Sequence, residues 1–380
     1  MSEYQYYEFQ AIDGPLDRAA QEALRSISSR ARITATSFTN HYEWGDFKGD
    51  PRECMEQWFD LHLYLTNWGS RRLMMRLPGH LVDREALAPF LRELDWAELW
   101  PSGDNLIVDL FWDEGEPGDE WDDGSGWLAA LTPLRADVIA GDLRLFYLVW
   151  LTAVQEELVA DEAIEPLPGI GPLTGTLEAF AAFFDIDPDL VQAAAESGRD
   201  DAAPSKDDLR EALTAITERE KTALLLRAVE GDSHVIAELK RRIRSRRPAP
   251  SLPQRTAGAL RTRAQEIAEA RERLDAERRE AERRRQAKQA EKERRARLQA
   301  LKQRGAAAWR EVEAEIERRN AAGYDKAARL LCDLQALAAD EGSQGDFDRR
   351  VVAIRARHQR KGKFIERLAK FACSSDEMAP

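Results

Sequence analysis

The sequence of 380 residues has few of the residues that build disulfide frameworks or metal centres. Its three cysteines, Cys54, Cys332 and Cys373, lie far apart and form no CxxC pair. Its five histidines show neither HxxxH nor HExxH spacing. Disulfide scaffolds and structural zinc sites depend on such spacings. We therefore expect neither, and the sequence assigns no metal ligand and no cofactor.

Long apolar runs are also missing. The longest, from Leu143 to Val154, contains Arg144 and is shorter than the roughly 20 apolar residues of a transmembrane helix. It is typical of a buried segment in a protein core. The N-terminal stretch MSEYQYYEFQ has neither the basic nor the apolar region of a secretory signal. We expect a cytoplasmic protein without membrane association.

Charge is distributed unevenly along the chain. Residues 1–200 carry 14 basic and 38 acidic residues, a net charge of −24. Residues 201–380 carry 42 basic and 31 acidic residues, a net charge of +11. This division excludes both a uniformly acidic enzyme and a uniformly basic nucleic-acid binder as descriptions of the whole chain.

The N-terminal part alternates between strand-like and helix-like segments. Asp50, Pro51 and Glu53 form a helix start with a cap, a proline at the first position and a glutamate in the first turn. Two apolar segments, 61–66 and 72–77, flank the turn Asn67-Trp68-Gly69-Ser70 and predict a hairpin. Residues 105–112 read NLIVDLFW, the clearest strand. The pattern predicts an α+β domain over residues 1–160.

The remainder of the sequence predicts a mainly α-helical region in three parts. These are a helical middle region at 161–250, one long charged helix at 251–305, and a small helical bundle of three short helices at 306–374. The long helix is rich in good helix formers and in acid-before-base pairs four residues apart. Leu260, Ile267, Leu274 and Ala281 repeat every seven residues, but Lys288 follows. We favour a solvent-exposed helix, with a dimeric coiled coil as the second interpretation.

One polar segment is a candidate catalytic site. Residues 39–50, TNHYEWGDFKGD, place a histidine beside carboxylates, as acid–base chemistry requires. The favoured alternative is a strand ending in a glycine turn, with Trp44 anchored in the core. Two arginines follow the turn at 67–69. If this turn lies close to the glycine turn of residues 39–50, the two arginines would face Glu43 and Asp46. Such a group is as consistent with a structural ion-pair cluster as with a functional site. The candidate residues are His41, Glu43, Asp46, Arg71 and Arg72.

A second candidate is a basic run near the end of the middle region. It could contact phosphates of a nucleic acid. Alternatively, it is a basic helix end favoured by the helix dipole, or it docks on the acidic half of the chain. Its six basic residues are Lys240, Arg241, Arg242, Arg244, Arg246 and Arg247.

An acidic segment at 113–123, DEGEPGDEWDD, is a third feature of interest. Its register fails the rule for a calcium-binding EF-hand, because Trp121 and Ala130 would fall on ligand positions. We therefore favour a solvated loop over a metal site.

Two stretches resemble known groups of proteins. The N-terminal patterns YEFQAID and TSFTNHYEWGDFKGDP are similar to a group of uncharacterised bacterial proteins, and this resemblance implies no catalytic residue. The stretch from Tyr324 to Leu368 resembles the helical tails of some bacterial SWIM zinc-finger proteins, without the CxC…CxH zinc ligands. That resemblance implies a partner of the SWIM zinc-finger class.

These observations favour a non-enzymatic bacterial interaction or scaffold protein of a multi-component system, able to form an oligomer through the long helix. The first alternative is a nucleic-acid-associated accessory factor that uses residues 240–247. The second is an enzyme with a site near His41, Glu43 and Asp46.

Overall fold

The computed structural model describes residues 3–113, 121–198, 206–232, 234–246 and 253–373. It confirms the expected fold class: an antiparallel sheet of seven strands is followed by a mainly helical region, with one long helix and a small C-terminal bundle. The chain divides into two compact units, 1–271 and 272–380. The division falls inside the long helix, whereas the sequence placed boundaries at residues 160, 250 and 305. Most of the acidic segment at 113–123 lies outside the described residues.

The sheet has the order β2-β3-β1-β4-β5-β7-β6, and all neighbouring strands run antiparallel. The strands are β1 (Gln5–Gln10), β2 (Arg32–Ile33), β3 (Ser37–Tyr42), β4 (Leu61–Thr66), β5 (Arg71–Pro78), β6 (Ala97–Ser102) and β7 (Asn105–Trp112). The β4–β5 hairpin and strand β7 confirm the sequence predictions. Gln5 pairs with Tyr42 and with Thr66, and Arg71 pairs with Trp112. The ends of β3, β4 and β7 therefore meet at one end of the sheet.

Ten helices accompany the sheet among the described residues of the first unit. They are α1 (Arg18–Ile27), α2 (Pro51–Gln57), α3 (Arg84–Leu91), α4 (Trp127–Ile139), α5 (Arg144–Gln155), α6 (Gly175–Phe183), α7 (Pro188–Ala195), α8 (Lys206–Thr214), α9 (Glu218–Val229) and α10 (Val235–Arg246). Helix α2 begins as predicted, because the Asp50 side chain accepts a hydrogen bond from the Arg52 N–H at 2.8 Å.

Both faces of the sheet are covered, because alternate side chains point to opposite sides. One face, with Phe9, Phe38 and Met74, packs against α1 and α2. The other, with Leu63 and Leu73, packs against helices α3 to α7. The longest apolar run forms α5, and its residues 145–154 are all buried, as expected for a core segment. Across the described residues we find no helix with both the length and the apolar character needed to cross a bilayer.

Helix α11 (Ala257–Arg304) has 48 residues and belongs in part to each unit. Leu260 and Ile267, which begin the seven-residue repeat, are buried in the core of the first unit, whereas Leu274 is exposed. The long helix is thus confirmed, and residues 269–290 are exposed throughout. The dimeric coiled coil stays a prediction.

Between residues 306 and 373, which the structure describes, the C-terminal bundle has four helices, so the prediction of three was wrong. They are α12 (Ala306–Glu317), α13 (Ala321–Asp340), α14 (Gln344–Arg357) and α15 (Gly362–Cys373). The chain turns at His358–Lys361, where the Lys361 N–H donates to the His358 carbonyl. Ile354 and Phe364 on the two sides of this turn enter the same core. The apolar residues of α14 and α15 therefore resemble one continuous helical pattern in the sequence, although the chain changes direction between the two helices.

His62 lies buried within the sheet. Its ring stacks on Phe9 with the centroids 3.9 Å apart, and Nδ1 lies 3.0 Å from the Glu8 carbonyl oxygen. Nε2 has no hydrogen-bond partner among the described residues. Burial, and then the charge of Arg72, lower the pKa of His62 well below its ordinary value of 6.5. The imidazole is therefore neutral in the folded protein.

We expect His62 to make the first unit less stable below pH 6.5. The unfolded chain then binds a proton that the folded chain does not, at a cost of about 1.4 kcal/mol per pH unit. His62→Leu should remove this slope between pH 6.5 and 5, where most carboxylates do not titrate. Urea unfolding followed by tryptophan fluorescence measures the difference, because nine of the ten tryptophans lie in residues 1–150. Equal slopes for the two proteins would contradict the prediction.

Candidate functional site

Five of the ten tryptophans lie at the end of the sheet where β3, β4 and β7 end; we call it the tryptophan-rich end. They are Trp44, Trp68, Trp96, Trp112 and Trp121. Trp44 is 78% exposed, Trp121 68% and Trp68 38%. Large exposed aromatic side chains that cluster in one region are typical of interaction surfaces.

The expectation that Trp44 is anchored in the core is wrong. Its loop buries Phe47 instead, which packs against Phe9 and Phe38 with centroid distances of 5.9 and 5.7 Å. Gly45 lies between Trp44 and Phe47 and has a φ of +80°, so the chain turns between these two aromatic residues. The core accepts one aromatic side chain from this loop, and Trp44 is left in solvent.

Tyr4 connects the exposed aromatic residues with their acidic surroundings. Its ring stacks on His41 at 5.9 Å and meets the edge of Trp121 at 4.9 Å. Its hydroxyl donates to the Asp123 carbonyl oxygen at 2.9 Å. Burial, followed by the nearby carboxylates of Asp123, Asp122 and Glu43, raises the pKa of Tyr4. An aromatic surface beside several carboxylates favours a positively charged ligand.

Beside this surface, a cleft of about 820 Å³ opens at the sheet edge, within the first unit. We call it the acidic cleft. Four aromatic rings line it: Trp96, Phe111, Trp112 and Phe184. Six carboxylates line it as well: Asp95, Glu98, Asp109, Asp113, Glu156 and Asp185. Its two cationic residues are Arg52 and Arg71. Its volume lies within the usual range for ligand sites.

Arg71 and Arg72 do not form the expected cluster with Glu43 and Asp46. Arg71 Nη1 donates to the Phe183 carbonyl oxygen at 2.6 Å. Arg72 holds Asp109 through Nε at 2.7 Å and Nη2 at 2.6 Å. Consecutive residues of a strand point to opposite faces, so the two arginines cannot meet one turn together. Asp46 instead accepts from Gln5 Nε2 at 2.7 Å.

Arg52 lies at the other wall of the acidic cleft. Its guanidinium is 4.6 Å from the centre of the Trp100 ring and forms ion pairs with Glu98 and, at 3.2 Å, with Asp109. Although burial opposes it, hydrogen bonding to Glu98 and the charges of Asp109 and Glu98 raise the pKa of Arg52. Two of the six carboxylates are thus neutralised by the protein's own arginines.

The other carboxylates of the acidic cleft carry net negative charge. Asp113 accepts from Ser70 Oγ at 2.7 Å. Asp95, Glu156 and Asp185 are exposed, and no lysine or arginine in the described ranges pairs with them. No three acidic, histidine or cysteine residues of the described chain group closely enough to hold a metal ion. The cleft therefore combines aromatic rings with exposed carboxylates.

The chain matches no protein-family model, no curated protein and no solved structure.

The polar residues predicted as a catalytic site are spread over this end of the sheet. His41 is exposed on Tyr4, and within the described residues it makes no hydrogen bond to Glu43 or Asp46. General acid–base catalysis needs groups within about 3.2 Å of their proton donor or acceptor. The enzyme hypothesis gains no support from this arrangement.

The basic run at 240–247 is partly engaged with the protein's own acidic groups. Arg242 pairs with Glu238 at 2.7 Å and lies 3.8 Å from Glu220. Arg244 lies 3.3 Å from Asp142. Lys240 is exposed and Arg241 half-buried, whereas Arg247 and the side chain of Arg246 lie outside the described residues. Because Asp142 belongs to the acidic half of the chain, the contact of Arg244 agrees with the alternative that the basic run docks on that half.

Proposed function

We propose that the chain is a non-enzymatic interaction protein that binds a protein partner through its tryptophan-rich end. The observation that carries this proposal is the exposure of Trp44, Trp68 and Trp121 at one end of the sheet. Tryptophan side chains dominate the binding free energy of many protein interfaces. The surrounding carboxylates favour a partner with a basic contact surface.

Helix α11 supports a scaffold role within a multi-component system. Its 48 residues correspond to a length of about 72 Å, at about 1.5 Å per residue. Residues 269–290 are exposed throughout, so their charged side chains lie at the surface, where further components can contact them. The resemblance of residues 324–368 to the tails of SWIM zinc-finger proteins makes a protein of that class the first partner to test.

We expect Trp44→Ala combined with Trp121→Ala to weaken partner binding about 1,000-fold, since hot-spot residues contribute about 2 kcal/mol each. The partner is first captured by photo-crosslinking from position 44 in the native host, then purified and titrated. Ile12→Ala, at the opposite end of the sheet, is the matched control and should bind normally. Unchanged affinity in the double variant, or no crosslinked protein, would overturn the proposal.

A further inference from the structure

We propose that the acidic cleft binds an arginine side chain in an extended segment of the partner. This inference rests on the proposed function and names the chemistry that the partner must bring. The chain already holds one guanidinium in the same way: Arg52 lies over Trp100, with Glu98 and Asp109 beside it. In this protein, an indole face with two flanking carboxylates thus binds a guanidinium group.

The same combination occurs a second time in the acidic cleft. Trp96 meets Trp112 edge-on at 5.2 Å and stacks on Phe184 at 5.7 Å, which fixes the position of its ring. Asp95 and Asp185 are exposed beside these rings, and no cationic side chain of the described residues pairs with either. In this second set no arginine of the described residues pairs with the two carboxylates, because Arg71, which also lines the cleft, donates to the Phe183 carbonyl oxygen instead.

The geometry favours a guanidinium over other cations. A metal ion needs several carboxylates that converge on one point, and no such group exists among the described residues. A guanidinium is planar, weakly hydrated and able to stack on an indole while it donates sideways to carboxylates. An ammonium is strongly hydrated and makes a weaker flat contact. The aromatic walls therefore select arginine over lysine.

The size of the acidic cleft indicates that flanking peptide enters with the arginine. About 820 Å³ exceeds the volume of one side chain. Leu158, 53% exposed, adds an apolar wall for the neighbouring chain.

The test uses the full chain and a blocked pentapeptide with one central arginine flanked by glycines, titrated by calorimetry at low salt. We expect saturable binding of this peptide. We expect binding about tenfold weaker for the lysine peptide and none for the citrulline peptide, which keeps the shape but lacks the charge. Equal affinity for lysine, for citrulline or for the linear polyamine spermidine would overturn the proposal.

Two variants then locate the site. Asp95→Asn combined with Asp185→Asn should weaken the arginine peptide about tenfold, because two carboxylates lose their charge. The fold should tolerate both changes, since Asp95 is exposed and Asp185 has a φ of +53°, which asparagine adopts readily. Asp104→Asn, at the opposite end of the sheet, is the control and should bind normally. Unchanged binding in the double variant would overturn the assignment to this cleft.

The same variants separate this inference from the proposed function. If the whole partner binds the Asp95→Asn, Asp185→Asn protein normally but not the Trp44→Ala, Trp121→Ala protein, the arginine site is wrong and the interaction surface stands. If both double variants lose the partner, both proposals are supported. If neither does, both are overturned.

Discussion

Replacing Asp60 by asparagine should lower the free energy of unfolding of the first unit by about 3–5 kcal/mol. Asp60 is completely buried. Its Oδ2 accepts from the backbone N–H groups of Ile12 at 2.6 Å and Asp13 at 2.9 Å. Its Oδ1 accepts from Arg76 Nη2 at 2.8 Å. One carboxylate therefore connects the loop after β1 with strand β5.

The large expected effect comes from the positive charges around Asp60. Arg135 is also buried, and its Nη2 lies 3.5 Å from Asp60 Oδ1 while its Nε donates to the Arg76 carbonyl oxygen at 2.7 Å. Without the Asp60 charge, Arg135 keeps Asp13 as a carboxylate partner, whereas Arg76 keeps none among the described residues. Asparagine would also present an N–H₂ group towards donors that need an acceptor.

Urea unfolding followed by tryptophan fluorescence measures the effect. The matched control is Asp104→Asn, an exposed position where we expect a change within about 0.5 kcal/mol. If Asp60→Asn costs no more than this control, Asp60 does not hold the network together.

The elements that the sequence predicts correctly all have local signals. Asp50 and Pro51 begin α2 because cap and proline act within one turn of helix. The hairpin at Asn67–Ser70 follows from apolar segments on both sides of a short polar turn. Helix α11 follows from composition alone, since Ala, Glu, Arg and Lys are good helix formers. Such signals fix the fold class.

The candidate site is different, because it depends on residues that are far apart in the chain. Arg52, Trp96 and Asp185 meet at the acidic cleft only because the sheet order places β5, β7 and β6 side by side and brings α6 against them. No pattern in the sequence gives strand order. The abundance of tryptophan in residues 44–127 was the one available signal, and it does not say which rings are exposed.

Which of Trp44 and Phe47 is buried cannot be predicted from the sequence either, although the two residues are close together in the chain. Both side chains are aromatic and only three residues apart, so their apolar character predicts burial for either. The fit to Phe9 and Phe38 decides between them, and that fit exists only once β1 and β3 pair. Burial of a single aromatic residue is thus a property of packing, and exposure of the other creates the interaction surface.

The second large effect is expected at Glu165, where a buried cluster holds the start of α11. Glu165 is 1% exposed. Its Oε1 accepts from the Arg255 backbone N–H at 2.8 Å and from Arg255 Nε at 3.1 Å. Its Oε2 accepts from Arg255 Nη2 at 3.0 Å and from the Tyr147 hydroxyl. Arg255 Nη1 also donates a hydrogen bond to the Ala193 carbonyl oxygen at 2.6 Å.

Glu165→Gln should cost about 3–5 kcal/mol of unfolding free energy, because it leaves the guanidinium of Arg255 without its carboxylate. Burial raises the pKa of Tyr147, and because burial persists in the variant, the phenol stays protonated and cannot supply the missing charge. The first turns of α11, with Ala257 and Leu260, should then separate from the core more often.

Hydrogen exchange at the amides of residues 257–267 measures this opening directly, alongside urea unfolding. Glu162→Gln, an exposed glutamate three residues away, is the matched control and should leave both readouts unchanged. A loss of stability without faster exchange at 257–267 would show that Glu165 supports the core generally. Faster exchange confined to 257–267 in the Glu165 variant would show that this carboxylate anchors α11, because Arg255 is the residue that joins the helix to it.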